Sequence, residues 1–332
     1  MNQDLRKKVL VTGASGFVGS NLVPALVKQG YSVTCLVRST SDTRAFRRDG
    51  IHLVLGSIND PSALREAVRS VNTIYHVAGA IKAAHRADYF RINQAGTRIV
   101  LESVAENNPG LGRFVHVSSL AAAGPSSGNR GLTEVENPNP ISWYGESKLK
   151  SEEEALRFKD LFPVTIIRPS AIYGPRDRET LIFFKMIQKG FLLTPGRLAR
   201  RFSLIHVSDL VDALMKAGEQ ESGSGEIFFV SRFESFGWDD VGRAIAQEFG
   251  KKYRRIALPR WLALAAGIAG DFWSHTTGQA AIISSQKVRE LLEPSWLCDS
   301  SKAKAALGFS PRINLEDGIR QTANWYRQNQ WL

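Results

Sequence analysis

The chain has 332 residues, 43% hydrophobic and 23% charged, which is typical of a soluble globular enzyme and argues against disorder. Lys and Arg outnumber Asp and Glu by 43 to 32, and the resulting net charge of +11 favours anionic ligands or a lipid surface. We recognise no nucleic-acid-binding motif, no signal peptide and no metal-spaced or redox cysteine pair, so we expect a cytoplasmic protein without a metal site.

The first strand and the loop after it predict a dinucleotide site. Lys8–Thr12 is β-branched and apolar, and Gly13, Gly16 and Gly19 follow at intervals of three. Such glycines suit a tight turn, a close approach to a pyrophosphate and the packing of a helix on a strand, although glycines used only for turning would look similar. The residues expected around the diphosphate are Gly13, Ser15, Gly16, Phe17, Val18 and Gly19.

The second predicted strand, Tyr31–Val37, ends in an arginine where dinucleotide folds meet the adenosine ribose. An acid there would bind a 2′-hydroxyl, whereas Arg38 would pair with a 2′-phosphate, and Arg44 could supply a second cation. The pattern favours NADP(H), with NAD(H) as the alternative. These arginines could instead only coat a surface loop.

The third and fourth strands are predicted at His52–Leu55 and Asn72–Val77. After the third, the segment that contains Ser57 and Ile58 is expected to hold the adenine, and Asp60 with Pro61 should begin a helix. After the fourth, the small residues Ala78 and Gly79 would let the backbone pass along the cofactor, whereas His76 is interpreted as a packing or loop residue.

A fifth strand at Arg113–Ser118 precedes the residues with the strongest chemical pattern. Tyr144 and Lys148 lie four apart at the start of a helix predicted from Trp143 to about Lys159, so they share one face. An ammonium near a phenol favours the phenolate and brings it towards useful acid–base strength. Ser119, at the end of the strand, could hydrogen-bond the same substrate oxygen.

Together these residues resemble the extended short-chain dehydrogenases/reductases from Lys8 to about Tyr326. The matching motifs are TGxxGxxG at Gly13, HVAG at His76, SS at Ser118, YxxxK at Tyr144, NQAGT around Asn93, RPSAIYGP at Arg168 and IHVSDL at Ile205. The VR at Val37 and Arg38 is similar to NADP-binding members of the dihydroflavonol reductase and 3β-hydroxysteroid dehydrogenase type.

The resemblance implies roles for individual residues. Ser119 and Tyr144 would hold the substrate oxygen, Tyr144 would pass the proton, and Lys148 would hold the nicotinamide ribose and lower the tyrosine pKa. Asn93, Pro169 and Ile172 would also contribute to the cofactor site. A homodimer through the helices that carry Asn93 and Lys148 would follow by analogy.

The sequence departs from the family's sugar-nucleotide epimerases. Ser57 stands where many members have an aspartate against the adenine, and Ala121 where those epimerases often carry a threonine. The arginine that would grip a diphosphate is displaced, because Arg200 and Arg201 lie one position too early.

The second half is expected to provide the substrate lobe. Its predicted elements are strands at Val164–Arg168, Phe202–Ile205 and Ile227–Val230, and helices at Thr180–Lys189, Ser208–Ala217, Ser300–Leu307 and Leu315–Trp325. A further apolar helix, bounded by Pro259 and Asp271, is interpreted either as core packing or as a lid or membrane-facing patch, and it is too short to span a bilayer.

These patterns predict a doubly wound parallel sheet of the Rossmann type, with residues 1–175 forming the dinucleotide domain, to which later segments return, and 176–332 mainly the smaller substrate lobe. The leading hypothesis is an NADP(H)-dependent oxidoreductase acting on a carbonyl of a fairly apolar small molecule, with peripheral membrane contact an open option. The alternatives are a sugar-nucleotide epimerase or dehydratase and, from another class, a non-enzymatic NADP-sensing protein.

Overall fold

A parallel sheet forms the centre of the protein, whose computed structural model describes residues 7–196, 200–220 and 224–332. Numbered along the chain, the strands of this sheet within the described residues are β1 (Lys8–Thr12), β2 (Ser32–Val37), β3 (Ile51–Leu55), β4 (Thr73–His76), β5 (Arg113–Val117), β6 (Val164–Pro169) and β10 (Glu226–Val230). Their order across the sheet is β10-β6-β5-β4-β1-β2-β3. The order reverses between β1 and β4, which confirms the doubly wound fold and marks where such sheets bind ligands.

Helices cover both faces of the sheet, as its apolar strands require. One core packs α1 (Phe17–Lys28) and α8 (Val207–Glu219) against one face. The other core packs α2 (Pro61–Val68), α4 (Gly96–Asn107) and α6 (Trp143–Leu156) against the opposite face. The carboxyl edge of the sheet is thereby held between two rigid layers.

The remaining strands form two small sheets within the described residues. One joins β7 (Ala171–Tyr173), β9 (Arg201–His206), β11 (Ser235–Phe236) and β13 (Ser295–Trp296), and the other pairs β8 (Phe191–Pro195) with β12 (Arg254–Leu258). The remaining helices that carry labels below are α3 (Arg86–Tyr89), α5 (Leu120–Ala123), α7 (Leu181–Gln188), α9 (Trp238–Phe249), α10 (Arg260–Thr277), α11 (Ser285–Leu292), α12 (Ser301–Leu307) and α13 (Leu315–Gln328). A separate core joins α7, α9 and α13.

The helix expected to carry Asn93 is interrupted in the structure. A π-helical turn over Phe90–Ala95 separates α3 from α4, and Asn93 lies within that turn. π-Helical turns leave one residue out of the regular hydrogen-bond ladder and are common at functional sites. The interruption therefore gives Asn93 a position that an unbroken helix would not.

The apolar helix α10 is longer than predicted. The sequence indicated an end at Asp271, but the helix continues to Thr277 and stops before Gly278, whose φ is +69°. Asp271 Oδ1 accepts a hydrogen bond from the Ser285 amide at 3.1 Å, so this carboxylate joins two helices instead of ending one. None of the described helices is both long enough and apolar enough to cross a membrane.

Candidate active site

The glycine loop follows β1 and packs against the residues just after β4. Gly13 has φ +69°, and a Cβ there would lie 2.6 Å from the Ala78 nitrogen. A Cβ on Gly19 would lie 2.3 Å from the Gly13 oxygen. Both positions therefore require glycine, one for its conformation and the neighbouring backbone, the other for helix packing.

The N-terminus of α1 follows this loop and has the properties of an anion site. Gly16 is the N-cap residue, no side chain caps the helix, and its first turn carries no acid. Its amides therefore offer donors and positive helix polarity to a phosphate. Of the predicted residues, Phe17 and Val18 lie in this turn. Ser15 precedes the N-cap residue, and its Oγ donates to Ser41 Oγ at 3.2 Å.

A cavity of about 460 Å³ lies beside the loop after β2. It is lined by Arg38, Ser39, Thr40, Leu55, Gly56 and Ser57. Arg38 is exposed there, as expected for a cation that would meet a 2′-phosphate. Arg44 is held by Asp42 through two hydrogen bonds of 2.9 and 2.7 Å, and these bonds lower the pKa of the Asp42 carboxyl. Arg38 is thus better placed than Arg44 to meet a ligand in this cavity.

The predicted adenine-side residues follow β3. The Ser57 hydroxyl accepts a hydrogen bond from the Asn59 amide at 3.2 Å. A Cβ on Gly96 would lie 2.5 Å from Ile58 Cδ1, so Ile58 is fixed against α4. The predicted cap is also present, because Asp60 accepts hydrogen bonds from the amides of Ser62 and Ala63. The loop is rigid where it meets the cavity.

The three residues of the catalytic hypothesis meet at the carboxyl end of β5. Ser119 is the N-cap residue of α5, and its hydroxyl lies close enough to that of Tyr144, at the start of α6, to favour the phenolate form of Tyr144. One turn later, the buried Lys148 donates from Nζ to the Val117 carbonyl at 2.7 Å. The structure therefore brings Ser119, Tyr144 and Lys148 together, although they lie up to 29 positions apart in the chain.

Burial shifts the pKa of both ionisable groups towards the neutral form. It raises the pKa of Tyr144 above that of a free phenol, and the nearby Ser119 hydroxyl partly offsets this effect. It lowers the pKa of Lys148 from 10.5 to about 8, against the opposing effect of Glu152. Near neutral pH the site therefore contains a protonated phenol and a lysine that keeps its charge.

Asn93 connects the cofactor-side loop to α6. Its Oδ1 accepts from the Ala80 amide at 2.7 Å, and its Nδ2 donates to the Ala80 carbonyl and to Ser147 Oγ. A Cβ added to Gly79 would lie 3.1 Å from Asn93 Oδ1 and 3.9 Å from Lys148 Nζ. Asn93 thus holds the loop of Ala78 and Gly79 next to the lysine.

Pro169 and Ile172 follow the carboxyl end of β6. Pro169 is the last residue of that strand and pairs with Val230, while Ile172 pairs with Ile205 of β9. Both therefore lie where the chain passes from the main sheet to the small one.

His76 lies in β4, where Thr12 and Thr97 hydrogen-bond its two ring nitrogens, and burial lowers its pKa to about 3. A neutral, fully bonded imidazole agrees with the packing interpretation.

Sequence reasoning missed a buried ion pair beneath α6. Glu152 and Arg168 are both 2% exposed and approach to 2.6 Å, and Ser118 Oγ also donates to Glu152. The sequence contains one indication of this arrangement. Lys148, Ser151 and Glu152 are spaced three and four residues apart, so they fall on one helical face. Glu152 thereby links the end of β5, α6 and β6.

Comparison with known proteins identifies the family. Residues 9–231 match the sequence profile of the NAD dependent epimerase/dehydratase family, which is more than half of the chain. The chain belongs to this family. The family and its relatives indicate a nicotinamide-dependent enzyme of the oxidoreductase or epimerase type.

Two curated relatives and one solved structure are similar to this chain over nearly its whole length. "Ceramide reductase" from Caulobacter vibrioides is 34% identical over 100% of this chain and 98% of its own. "Sterol demethylase protein B" from Methylococcus capsulatus is 35% identical over 96% and 98%. MoeE5 in complex with UDP-glucose and NAD has a TM-score of 0.78 at 23% identity, covering 97% and 99%, and shares the fold.

The residues present fit the dinucleotide that the family name implies. The close approach of Gly13 to Ala78 and the uncapped N-terminus of α1 leave backbone donors where a diphosphate would bind. The cavity beside Arg38 would receive the adenosine end. Lys148 and Tyr144 would lie at the nicotinamide end.

Proposed function

We propose that the protein is an NADP(H)-dependent oxidoreductase acting on a carbonyl or alcohol of a lipid-like substrate. The observation that carries the proposal is the meeting of Ser119, Tyr144 and Lys148 at the carboxyl end of β5. The names of the two curated relatives, ceramide reductase and sterol demethylase protein B, support a lipid substrate. A ceramide-related ketone is the substrate we would test first.

The protein's own residues would divide the work of reduction. A bound nicotinamide supplies the hydride. Ser119 and Tyr144, whose hydroxyls lie near each other, would both donate to the carbonyl oxygen of the substrate. Tyr144 would then give its proton to that oxygen, and the Lys148 ammonium would stabilise the phenolate that remains. The Val117 carbonyl would keep that ammonium in place.

The direct test is NADPH consumption by the full chain with a detergent-dispersed, ceramide-related ketone. Turnover that requires both the ketone and Ser119 would support the proposal, and Ser119→Ala should reduce it by about 10–100-fold through loss of a hydrogen bond to the oxygen. No turnover in either direction with a panel of long-chain ketones and alcohols would contradict it.

The rate of reduction should fall as pH rises through about 8. The pKa of Lys148 is lowered to about 8, so its ammonium is present below that pH and lost above it. Without this charge the phenolate that forms on Tyr144 is less stable. The measurement is kcat/KM against pH, which reports groups of the free enzyme.

Lys148→Arg provides the control for this pH dependence. A guanidinium keeps its proton over the whole range, so the variant should be slower but should lose the decline near pH 8. The same decline in wild type and variant would assign it to another group.

Arg38→Ala should lower NADPH affinity by about 10–100-fold and leave NADH affinity nearly unchanged, because a charge-assisted hydrogen bond contributes about 1.5–3 kcal/mol. Arg38 is exposed and lines the adenosine-side cavity, whereas Arg44 is engaged by Asp42. Calorimetric titration with each nucleotide measures the effect. We expect a smaller effect from Arg44→Ala.

Arg48→Ala is the matched control, since it removes an exposed arginine of the same loop that does not line the cavity. It should leave both affinities within about twofold, as expected for a distant surface charge screened by salt. An NADPH affinity that is equal to that for NADH in the wild type would contradict the assignment of NADP.

The competing function is a sugar-nucleotide epimerase or dehydratase. The fold shared with MoeE5, which was solved with UDP-glucose and NAD, is compatible with this alternative. Two observations disfavour it. Ala121 lacks a hydroxyl, and both displaced arginines have protein partners, since Arg200 donates to the Leu291 carbonyl and Arg201 to that of Ser235. Titration of UDP into the NADP-saturated protein separates the two functions, and micromolar binding would favour the sugar nucleotide.

A further inference from the structure

Helix α10 turns its large apolar residues outward and its small residues towards the protein, which is the reverse of an ordinary surface helix. Trp261, Ile268 and Phe272 are 68%, 64% and 71% exposed. The face turned to the protein carries small residues, with Ala263 and Ser274 buried. A surface helix normally buries its large apolar side chains. The outward face of α10 therefore exposes a contiguous apolar stripe.

The inner face of α10 is closed by contact with the chain of α11 and the loop before it. A Cβ on Gly267 would lie 2.9 Å from Ser285 Cα, and one on Gly270 would lie 1.8 Å from the Ile283 oxygen. Such contacts leave no room for a large side chain between the two segments. The exposed stripe cannot become buried by rotation of the helix in place.

The charges around the stripe suit an anionic surface. The ten residues from 251 to 260, which lead into α10 and include its first residue, contain five cations and no acid: Lys251, Lys252, Arg254, Arg255 and Arg260. Arg255 pairs with Asp239, while Arg254 and Arg260 are exposed. From 261 to 284 the only acid is Asp271, which is turned towards the Ser285 amide. No carboxylate therefore lies on the apolar face to repel an anionic headgroup.

The pair formed by α10 and α11 borders the candidate active site. Glu290 Oε1 accepts from Ser142 Oγ at 2.6 Å, and Gln286 Oε1 accepts from the Trp143 amide at 3.1 Å, directly before Tyr144. The His275 ring lies 5.9 Å from that of His85, in the loop before α3. The apolar stripe is thus attached to the start of the helix that carries Tyr144.

We propose that the outward face of α10 docks on the surface of an anionic phospholipid bilayer and delivers lipid substrate to the site. The aromatic residues Trp261, Phe272 and Trp273 are suited to the level of the headgroups, and the preceding cations to their phosphates. The docking surface deepens the proposed function, on which its role in substrate delivery rests.

The test is flotation of the full-length protein with vesicles of phosphatidylcholine alone and with phosphatidylglycerol added. We expect binding chiefly to the anionic vesicles. Combining Trp261→Glu with Phe272→Glu should weaken that binding by about tenfold or more, because both rings lose their apolar contact. The matched control combines Val135→Glu with Leu161→Glu, two other exposed apolar positions, and should bind like the wild type.

Three outcomes would overturn the proposal. They are no flotation of the wild type with anionic vesicles, equal flotation of the wild type and the α10 variant, and a wild-type dimer that the α10 substitutions dissociate without any change in vesicle binding. Since all four substituted side chains are exposed, NADPH affinity should be unchanged in both variants and reports intact folding. Turnover of a short-chain soluble ketone, measured without vesicles, tests the chemistry separately from docking.

Discussion

Tyr144→Phe is expected to lower kcat by about three orders of magnitude, because a positioned general acid contributes about 10²–10⁴-fold to the rate. The substitution removes only the hydroxyl that lies near that of Ser119. The ring remains packed near Tyr89, with 6.4 Å between centroids, so the fold and the proposed NADPH site should be preserved. Steady-state NADPH oxidation and NADPH titration measure the two quantities independently.

Tyr253→Phe is the matched control, because it removes the same atom from a tyrosine between α9 and β12. It should leave kcat within about twofold, as is usual for a surface change distant from the chemistry. If Tyr144→Phe retained half of the wild-type kcat, the proton would have to come from another group and the proposed mechanism would be wrong.

Glu152→Gln is expected to destabilise the protein by about 3–5 kcal/mol, the usual cost of leaving one partner of a buried ion pair uncompensated. Arg168 would remain buried without its carboxylate, and Ser118 would lose a charged acceptor. Denaturant unfolding measures the loss. Since Glu152 also raises the pKa of Lys148, the decline in reduction rate near pH 8 should move to lower pH.

Glu153→Gln tests whether these effects depend on burial. Glu153 is the next residue of α6 and pairs with Lys150 at 2.8 Å on the exposed face. Exposed pairs contribute about 0–1 kcal/mol, so we expect a small loss of stability and no movement of the pH profile. Equal destabilisation by the two variants would show that the buried pair has no special role.

The pH profile of Glu152→Gln distinguishes a positioning role from a purely structural one. A variant that is less stable but has an unshifted profile would limit Glu152 to holding β5, α6 and β6 together. A shifted profile would show that its charge acts on Lys148 across one helical turn.

Local pattern was enough to predict the main sheet and to select the candidate site residues that the fold brings together. The runs at Lys8–Thr12 and Arg113–Ser118 contain strands within one residue of those bounds, because strands covered on both faces are almost continuously apolar. The predicted cap at Asp60 forms since it depends on neighbours two and three residues away. The four-residue spacing of Tyr144 and Lys148 placed both on one helical face.

Short elements of the second half were missed for the opposite reason. β8 and β12 pair with each other across more than fifty positions, and neither has a local signal independent of that pairing. The end of α10 was predicted wrongly because Asp271 reads as a helix terminator, whereas its carboxylate is satisfied by Ser285 of the next helix. Contacts distant in sequence decide such boundaries.

The sequence by itself determined the doubly wound fold, the glycine loop and the choice of Ser119, Tyr144 and Lys148 as candidate site residues, since each depends on residue type and short spacing. Only the tertiary structure decided that burial lowers the pKa of Lys148, that Glu152 and Arg168 form an ion pair beneath it, and that α10 turns its large residues outward. Burial and orientation depend on which distant segments pack together, and no local pattern contains that information.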